Sequence, residues 1–323
     1  MFGFIHLRSC NKLKIRAYVN FALIKYWGKK DEGLKLPYQT SLSFTVDKLY
    51  TETEVIYDKN LYQDIVIING KKDEKMGNRV AKHMDVIRRE YNINSYAHII
   101  SENFVPTGAG LASSASAFAA LAYAATKTYG LELSKTELSR LARIGSGSAS
   151  RSIYGDFVIW NHGDDKTSVS KPLDAKWDDF RVIVCMIDEN EKECSSSDAM
   201  KKSVMNEELY SNWVLESQKD LSEMLQAIEN KDIEHVGVIA EKNAEHMHAL
   251  IEATGTKYKT EKTLEVISKV KALREKGIKA FYTMDAGPNV KIITIESEVA
   301  EIKKNLLNIQ MIVCKAGFDA HEV

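Results

Sequence analysis

The chain has 323 residues, of which 44% are hydrophobic and 28% charged, with a formal net charge of -1 at pH 7. This is the composition of a globular protein, and the near-zero charge gives no bulk electrostatic case for nucleic-acid binding. No apolar run reaches the roughly 18 residues needed to cross a bilayer. The length suits one large domain or two joined ones. Cys10, Cys185, Cys194 and Cys314 are far apart and form no C-x-x-C pair, so neither a zinc site nor a disulfide framework is expected. Met1 to Cys10 is short and interrupted by Arg8, unlike a signal peptide. A cytoplasmic location is expected.

Ile15 to Ile24 reads as a strand running into a loop at Lys25 to Pro37. In Ser41 to Asp47 the apolar residues Leu42, Phe44 and Val46 alternate with small polar ones, the pattern of a half-buried strand, and Thr51 to Tyr57 repeats the β-rich composition. Asp64 to Ile68 is another strand, closed by the turn signal Asn69-Gly70. Arg79 to Tyr91 reads as a helix and Tyr96 to Ile100 as a strand. Ser113 to Tyr129 is rich in Ala and suits a buried helix stopped by Gly130. Ser134 with Glu137 forms a capping box before a further helix, and Phe157 to Trp160 returns to strand.

After the polar stretch Asp174 to Asp179, Arg181 to Ile187 is a compact apolar strand. The domain boundary is placed there, giving residues 1–180 and 181–323. Helices are predicted over Ser211 to Glu229, Asp232 to His248 and Glu261 to Lys276. Strands follow at Lys279 to Thr283 and Val290 to Ile295, then a helix to about Leu307 and a strand at Met311 to Cys314. The pattern is α+β in two halves, with no internal repeat.

Pro106-Thr-Gly-Ala-Gly-Leu-Ala-Ser-Ser-Ala-Ser116 lies between a strand and the Ala-rich helix. Gly108 and Gly110 let the backbone approach a ligand closely. The free N–H groups and dipole of a helix starting near Ser113 or Ser114 favour an anion. The segment has neither the G-K-[ST] of a Walker loop nor the G-x-G-x-x-G of a dinucleotide site. It resembles the phosphate loop of the GHMP kinase superfamily.

Three further segments resemble the diphosphomevalonate decarboxylase branch of that superfamily: Asn20 to Glu32, Leu141 to Gly155, and Tyr282 to Asn289 with its Asp285-Ala-Gly-Pro turn. Together the matching stretches span about residues 14 to 295. The resemblance implies a two-domain GHMP kinase fold, with a ribosomal-protein-like α/β N-terminal domain and a ferredoxin-like α+β C-terminal domain. It implies ATP and Mg2+ as cofactors, a small-molecule substrate, no nucleic-acid or membrane partner, and a homodimer. By the same resemblance Asp285, Lys25 and Arg151 are catalytic. Asp285 meets a tertiary 3-hydroxyl, Lys25 lies near the reacting phosphate, and Arg151 holds a carboxylate with its planar fork. Tyr26, Lys29, Ser146, Ser148, Arg151 and Ser196 are expected to bind the substrate. Asn103, Pro106, Gly108, Ala109, Gly110, Leu111, Ala112, Ser113, Ser114 and Ser116 are expected to bind ATP, with Ser113 a candidate for magnesium. His246 and His248, two apart on a helix, do not share a face and are not expected to bind metal.

The implied reaction is an ATP-dependent decarboxylation of mevalonate 5-diphosphate. The chain departs from the commoner family pattern at Gln39-Thr40-Ser41, at Asp156, where a second glycine is common, and at Ser197, where some bacterial relatives carry an arginine. The uncharged Ser197 keeps the monophosphate open as a rival substrate. Two further rivals to the decarboxylase reading are a GHMP kinase that phosphorylates without decarboxylating and a silent ligand-binding paralogue.

Overall fold

The computed structural model describes residues 13–105, 113–187 and 194–323. The first part holds β1 (Lys14–Ile24), the short pair β2 (Lys29–Asp31) and β3 (Leu36–Pro37), β4 (Ser41–Asp58), β5 (Ile65–Ile68), α1 (Glu74–Tyr91), β6 (Tyr96–Phe104), α2 (Ser113–Thr128) and α3 (Lys135–Gly145). A 3-10 helix, Gly147–Ile153, then leads to β7 (Phe157–Trp160) and β8 (Ser170–Pro172). The second part holds β9 (Phe180–Met186), α4 (Ser196–Val204), α5 (Glu207–Glu229), α6 (Ile233–Glu252), α7 (Glu261–Glu275), β10 (Phe281–Met284), β11 (Val290–Ile295), α8 (Val299–Asn305), β12 (Gln310–Cys314) and β13 (His321–Glu322).

The larger sheet has the order β13-β1-β4-β6-β5, with β7 and β8 continuing from one end of β4. All its pairings are antiparallel except β5 on β6. The smaller sheet is antiparallel, β10-β11-β9-β12. The architecture is α+β, as the element pattern predicts.

Local chemistry sets many of the boundaries. The Ser134–Glu137 capping box forms in full at the start of α3. Asn69 and Gly70 both take positive φ, 49° and 73°, in the turn after β5, the conformation that Asn-Gly favours. Gly130 ends the Ala-rich helix at φ 74°. On α2, Ala119, Ala120, Ala122, Ala124 and Ala125 are wholly buried, so the helix backbone lies close on the sheet. An extra methylene there costs about 1–3 kcal/mol in overpacking.

Two sequence expectations are corrected. Residues 41–47 and 51–57 belong to one strand, β4. Its first half is buried on both faces, since Ser41, Ser43 and Thr45 are as inaccessible as Leu42, Phe44 and Val46. The 3-10 helix and a second core cover the two sides, so alternation in the sequence does not mean alternation in exposure here.

A break in register between Tyr18 and Asn20 in the β1–β4 ladder decides what faces the site. Before it, Ile15 and Ala17 pack with the helices α1–α3; after it, Val19, Phe21 and Leu23 pack into a core shared with β9, α5 and α6. Such an irregularity switches which residues point to which face, and it turns Asn20 and Ala22 towards a cleft. The shared core joins the two sheets, and β13 returns from the C-terminus to pair with β1.

Candidate active site

The cleft between the two halves has a volume of about 970 Å³. Lys25, directly after β1, and Asp285, directly after β10, meet on its wall, with Lys25 Nζ 3.1 Å from Asp285 Oδ1. The backbone of Lys25 is clamped at both ends. Its N–H donates to Asn243 Oδ1 at 2.8 Å, and its carbonyl accepts from Gln39 Nε2 at 3.1 Å. Asn243 is itself tied to Ser217 and Asp220 on α5. Lys25 Nζ also donates to the Ala22 carbonyl at 2.7 Å. Close packing of α6 on β10 makes this possible: a Cβ at Gly237 would fall 2.0 Å from the Phe281 ring. The same helix brings His248, whose Nε2 lies 3.2 Å from the Asp285 carbonyl oxygen.

A third charged group completes the cluster. Lys291, on β11, places Nζ 3.0 Å from Asp285 Oδ2. Both lysines are about 2% exposed, whereas the Asp285 side chain keeps 24% of its surface open. Burial pushes the Asp285 carboxyl upward, but the two ammonium groups outweigh it and hold it well below the usual carboxylate range. Burial lowers Lys25 to about 8, with Lys291 pressing the same way and Asp285 opposing. Burial likewise lowers His248 to about 4, so its imidazole is neutral near neutral pH.

Arg151 enters the same cleft from the 3-10 helix. Its Nε donates to Asn20 Oδ1 at 3.2 Å and its Nη1 to Ser41 Oγ at 2.5 Å. The guanidinium carbon stands 5.7 Å from the centre of the Trp160 ring. Asn20 in turn donates to the Ser148 carbonyl and the Ser152 hydroxyl. Burial lowers Arg151 to about 10, while Asp285 and Tyr26 oppose that shift. Neutral residues position this cation, which leaves its charge available to an incoming carboxylate. Tyr26 packs edge-on against Trp160 with ring centres 4.7 Å apart, and a Cβ at Gly147 would fall 2.7 Å from its ring. Its hydroxyl is buried with no partner among the described residues.

Further along the wall, Lys29 Nζ donates to Ser197 Oγ at 2.6 Å and to Glu32 at 3.1 Å. Ser196, Ser197 and Asp198 line the cleft at the first turn of α4. Ser113 and Ser114 line it at the start of α2, and Ser146 reaches both Ser114 and Ser148 with hydroxyl separations of 3.4 Å. Among the described residues seven cations line the cleft (Lys25, Lys29, Lys35, Lys75, Arg79, Lys82 and Arg151) against three carboxylates (Asp73, Asp198 and Asp285). A chain of net charge -1 thus presents a positive cleft suited to a polyanion.

The structure gathers Lys25, Tyr26, Lys29, Ser113, Ser114, Ser146, Ser148, Arg151, Ser196 and Asp285 around this one cleft. Ser116 is not on its wall. It is wholly buried and shares a 2.7 Å hydrogen bond with Thr51. Asn103 is also off the wall, on β6, where Oδ1 accepts from Thr51. Pro106, Gly108, Ala109, Gly110, Leu111 and Ala112 lie outside the described residues. Sequence reasoning missed Asn20 as an Arg151 partner, Lys291, and the basic face of α1. Lys75, Arg79 and Lys82 recur there at helical spacing, a signal that a helix running from Glu74 makes readable. His246 is exposed on α6 while His248 is buried, so the two do not converge. No group of three His, Cys, Asp or Glu suited to a metal occurs among the described residues. No helix among them is long and apolar enough to cross a membrane.

Residues 17–170 match the family model described as a diphosphomevalonate decarboxylase-like N-terminal domain, and residues 182–317 match a mevalonate 5-diphosphate decarboxylase C-terminal domain. A diphosphomevalonate decarboxylase from Ganoderma lucidum is 35% identical over 88% of this chain and 79% of its own length. One from Rattus norvegicus is 34% identical over 88% and 77%. Among solved structures, mevalonate diphosphate decarboxylase from Staphylococcus aureus superposes with a TM-score of 0.93 at 41% identity, covering 97% of this chain and 98% of that one. A structure described as MDDEF in complex with MVAPP, AMPPCP and magnesium superposes with a TM-score of 0.92 at 40% identity and the same coverage.

Proposed function

Because this chain belongs to the diphosphomevalonate decarboxylase family, we propose that it converts mevalonate 5-diphosphate and ATP into isopentenyl diphosphate, ADP, phosphate and carbon dioxide. The observation that carries this most directly is the convergence of Lys25, Asp285 and Arg151 on one cationic cleft.

In the first stage the substrate's 3-hydroxyl oxygen attacks the γ-phosphorus of ATP, and the bond to the β–γ bridging oxygen breaks to release ADP. A tertiary alcohol is a crowded, weakly acidic nucleophile, so positioning and charge stabilisation dominate. The open edge of Asp285 accepts the hydroxyl hydrogen bond and aims the oxygen. Held below the usual carboxylate range, Asp285 orients the hydroxyl more than it removes the proton, which passes late to an oxygen of the transferred phosphoryl group and suits a loose transition state. Lys25 meets the charge on the moving phosphoryl group.

In the second stage the carbon–oxygen bond to the new phosphate breaks, and its electron pair leaves with phosphate. The bond from the neighbouring carbon to the carboxylate then breaks, its electron pair becomes the carbon–carbon double bond, and carbon dioxide departs. Arg151 aligns that carboxylate. It also stabilises the ground state, so its net contribution is orientation.

Lys29, Tyr26, Ser146, Ser148 and Ser196 bind the substrate in this scheme, together with Arg79. Arg79 lines the cleft with no carboxylate partner among the described residues, and its guanidinium supplies positive charge on a wall where Ser197 has none. That favours the diphosphate over the monophosphate. ATP phosphates occupy the start of α2, where Ser113 and Ser114 border the cleft. Ser113, which borders the cleft at the start of α2, would offer a hydroxyl to a magnesium ion accompanying ATP, and such an ion would supply charge neutralisation for the nucleotide.

The chain is taken as two units, 1–180 and 181–323, with the terminal strand β13 returning to the larger sheet, and the enzyme as a cytoplasmic homodimer. The function is tested by incubating the protein with ATP and either mevalonate 5-diphosphate or the monophosphate, measuring ADP and carbon dioxide. Equimolar release of both from the diphosphate is expected. ADP without carbon dioxide identifies a kinase, and preference for the monophosphate identifies the rival substrate.

A further inference from the structure

We infer that Lys291 is a positioning residue for this reaction: from behind Asp285 it fixes the carboxylate against Lys25 so that one edge faces the substrate. The role rests on the decarboxylase reading and adds a residue to it. The geometry is that of a two-point clamp. Lys25 Nζ stands 3.1 Å from Oδ1, and Lys291 Nζ stands 3.0 Å from Oδ2. Lys291 is not part of the cleft wall. It reaches Asp285 from β11, the strand paired antiparallel to β10. Its ammonium is itself anchored, donating to the Asn289 carbonyl at 3.2 Å and lying 5.3 Å from the centre of the Phe21 ring.

A buried lysine needs a reason, because taking an ammonium out of water costs several kcal/mol unless it is compensated. One carboxylate against one lysine would be neutral. Here Asp285 is shared between two lysines, so the cluster keeps one net positive charge beside the reacting phosphoryl group. The last torsion of an aspartate is broad and roughly two-fold. Contact at Oδ1 alone leaves the carboxylate free to turn, whereas contact at both oxygens fixes its plane. Lys291 makes no well-directed hydrogen bond to Oδ2, which is buried, so it acts as a charge that holds this oxygen inward and leaves the open part of the carboxylate, away from Oδ2, to face the substrate.

The test uses the full chain with Lys291→Met and Lys291→Gln. Methionine has nearly the same length without the charge, and apolar replacement of a buried ion is often tolerated. Glutamine keeps a donor and is the variant chosen in case methionine fails to fold. Both are assayed for kcat, for KM of each substrate, and for the pH dependence of kcat. We expect kcat to fall by about 10- to 100-fold in the methionine variant, the loss typical of a small misplacement at a reacting centre. KM for ATP is expected to stay within about two-fold, a uniform-binding measure that the clamp does not touch. In both variants an acid limb is expected to rise towards the ordinary carboxylate range near pH 4, because Asp285 has lost one of the cations that kept it ionised. A purely structural role would lower thermal stability and leave the pH profile of the folded enzyme unchanged. Wild-type kcat and wild-type acid limb in a folded variant overturn the inference. Wild-type enzyme that releases no carbon dioxide from mevalonate 5-diphosphate overturns the decarboxylase reading itself, and the role of Lys291 with it.

Discussion

Replacing Asp285 by Asn keeps the shape of the side chain and removes the one negative charge between two buried lysines. At 3.1 Å from Lys25 and an effective dielectric of about 20, a single ion pair carries about 5 kcal/mol of coulombic attraction. Burial of the charges offsets much of it. Stripping one partner from a buried pair ordinarily costs about 3–5 kcal/mol, because the other charge is left uncompensated. Lys25 has an escape here. Burial already lowers it to about 8 even with Asp285 holding it up. Without that carboxylate it sheds its proton near neutral pH, so the loss of folding stability is expected to be nearer ~1–2 kcal/mol than the full range. The catalytic loss is larger, because the hydroxyl loses its orienting anion and the phosphoryl group loses a cation together. A fall in kcat of about 10³ or more, equivalent to about 4 kcal/mol of barrier, is expected. ATP affinity, set at the start of α2, should change by less than about three-fold. Single-turnover measurement of ADP and carbon dioxide, with calorimetry for nucleotide binding, reads both quantities. A variant that keeps more than about a tenth of wild-type kcat would refute the role of Asp285.

Lys25 also sets a pH dependence of opposite sign for activity and stability. Its folded-state value, about 8, lies below that of a free lysine at about 10.4. Activity, measured as kcat/KM of the free enzyme, should therefore fall as pH rises through about 8. Lys25's share of folding stability should rise between about pH 8 and about pH 10.4, because the unfolded chain binds the proton more tightly; a rate profile flat to about pH 10 speaks against this. Arg151→Ala should cut kcat/KM for the acid substrate by about 10²-fold or more, while KM for ATP stays within about three-fold; equal losses for both would indicate misfolding. Asp156 takes φ 57° with a buried Oδ1 that has no partner, and burial raises its carboxyl to about 6. Asp156→Gly should stabilise the fold by about 1 kcal/mol at neutral pH, since glycine takes positive φ freely. That gain should grow as pH rises from about 4 to about 6 and then level off, because over that range the folded wild type holds a proton that the unfolded chain has released. Thermal melts of both proteins across that range check it, and an unchanged difference removes the titration from the account.

Elements whose signals are local were legible from residues alone. The capping box at Ser134 and Glu137, the Asn69-Gly70 turn and the Ala-rich α2 each depend on neighbours within a few positions, where backbone preference acts directly. The motif segments around Lys25, Arg151 and Asp285 were legible as chemistry, because cations beside small residues and an aspartate at a strand end are visible in the linear order. Helix α4 and the strands β8 and β13 were not. Two of them are three residues or fewer, and β13 exists only because the chain end returns to β1. Such a pairing has no counterpart in local propensity.

The amino-acid order by itself determined the α+β class, the main helices and strands, and the side chains able to bind phosphate and carboxylate. Only the tertiary structure decided that Asp285 answers to two lysines rather than one. In the sequence Lys291 is one polar residue in the apolar run Val-Lys-Ile-Ile-Thr-Ile, indistinguishable from a solvent-facing strand lysine. It becomes a buried partner because β11 folds back along β10 while Phe21, from the other sheet, closes over its ammonium. The charge state of a group is set by what surrounds it in space, and here those surroundings come from residues 260 positions apart.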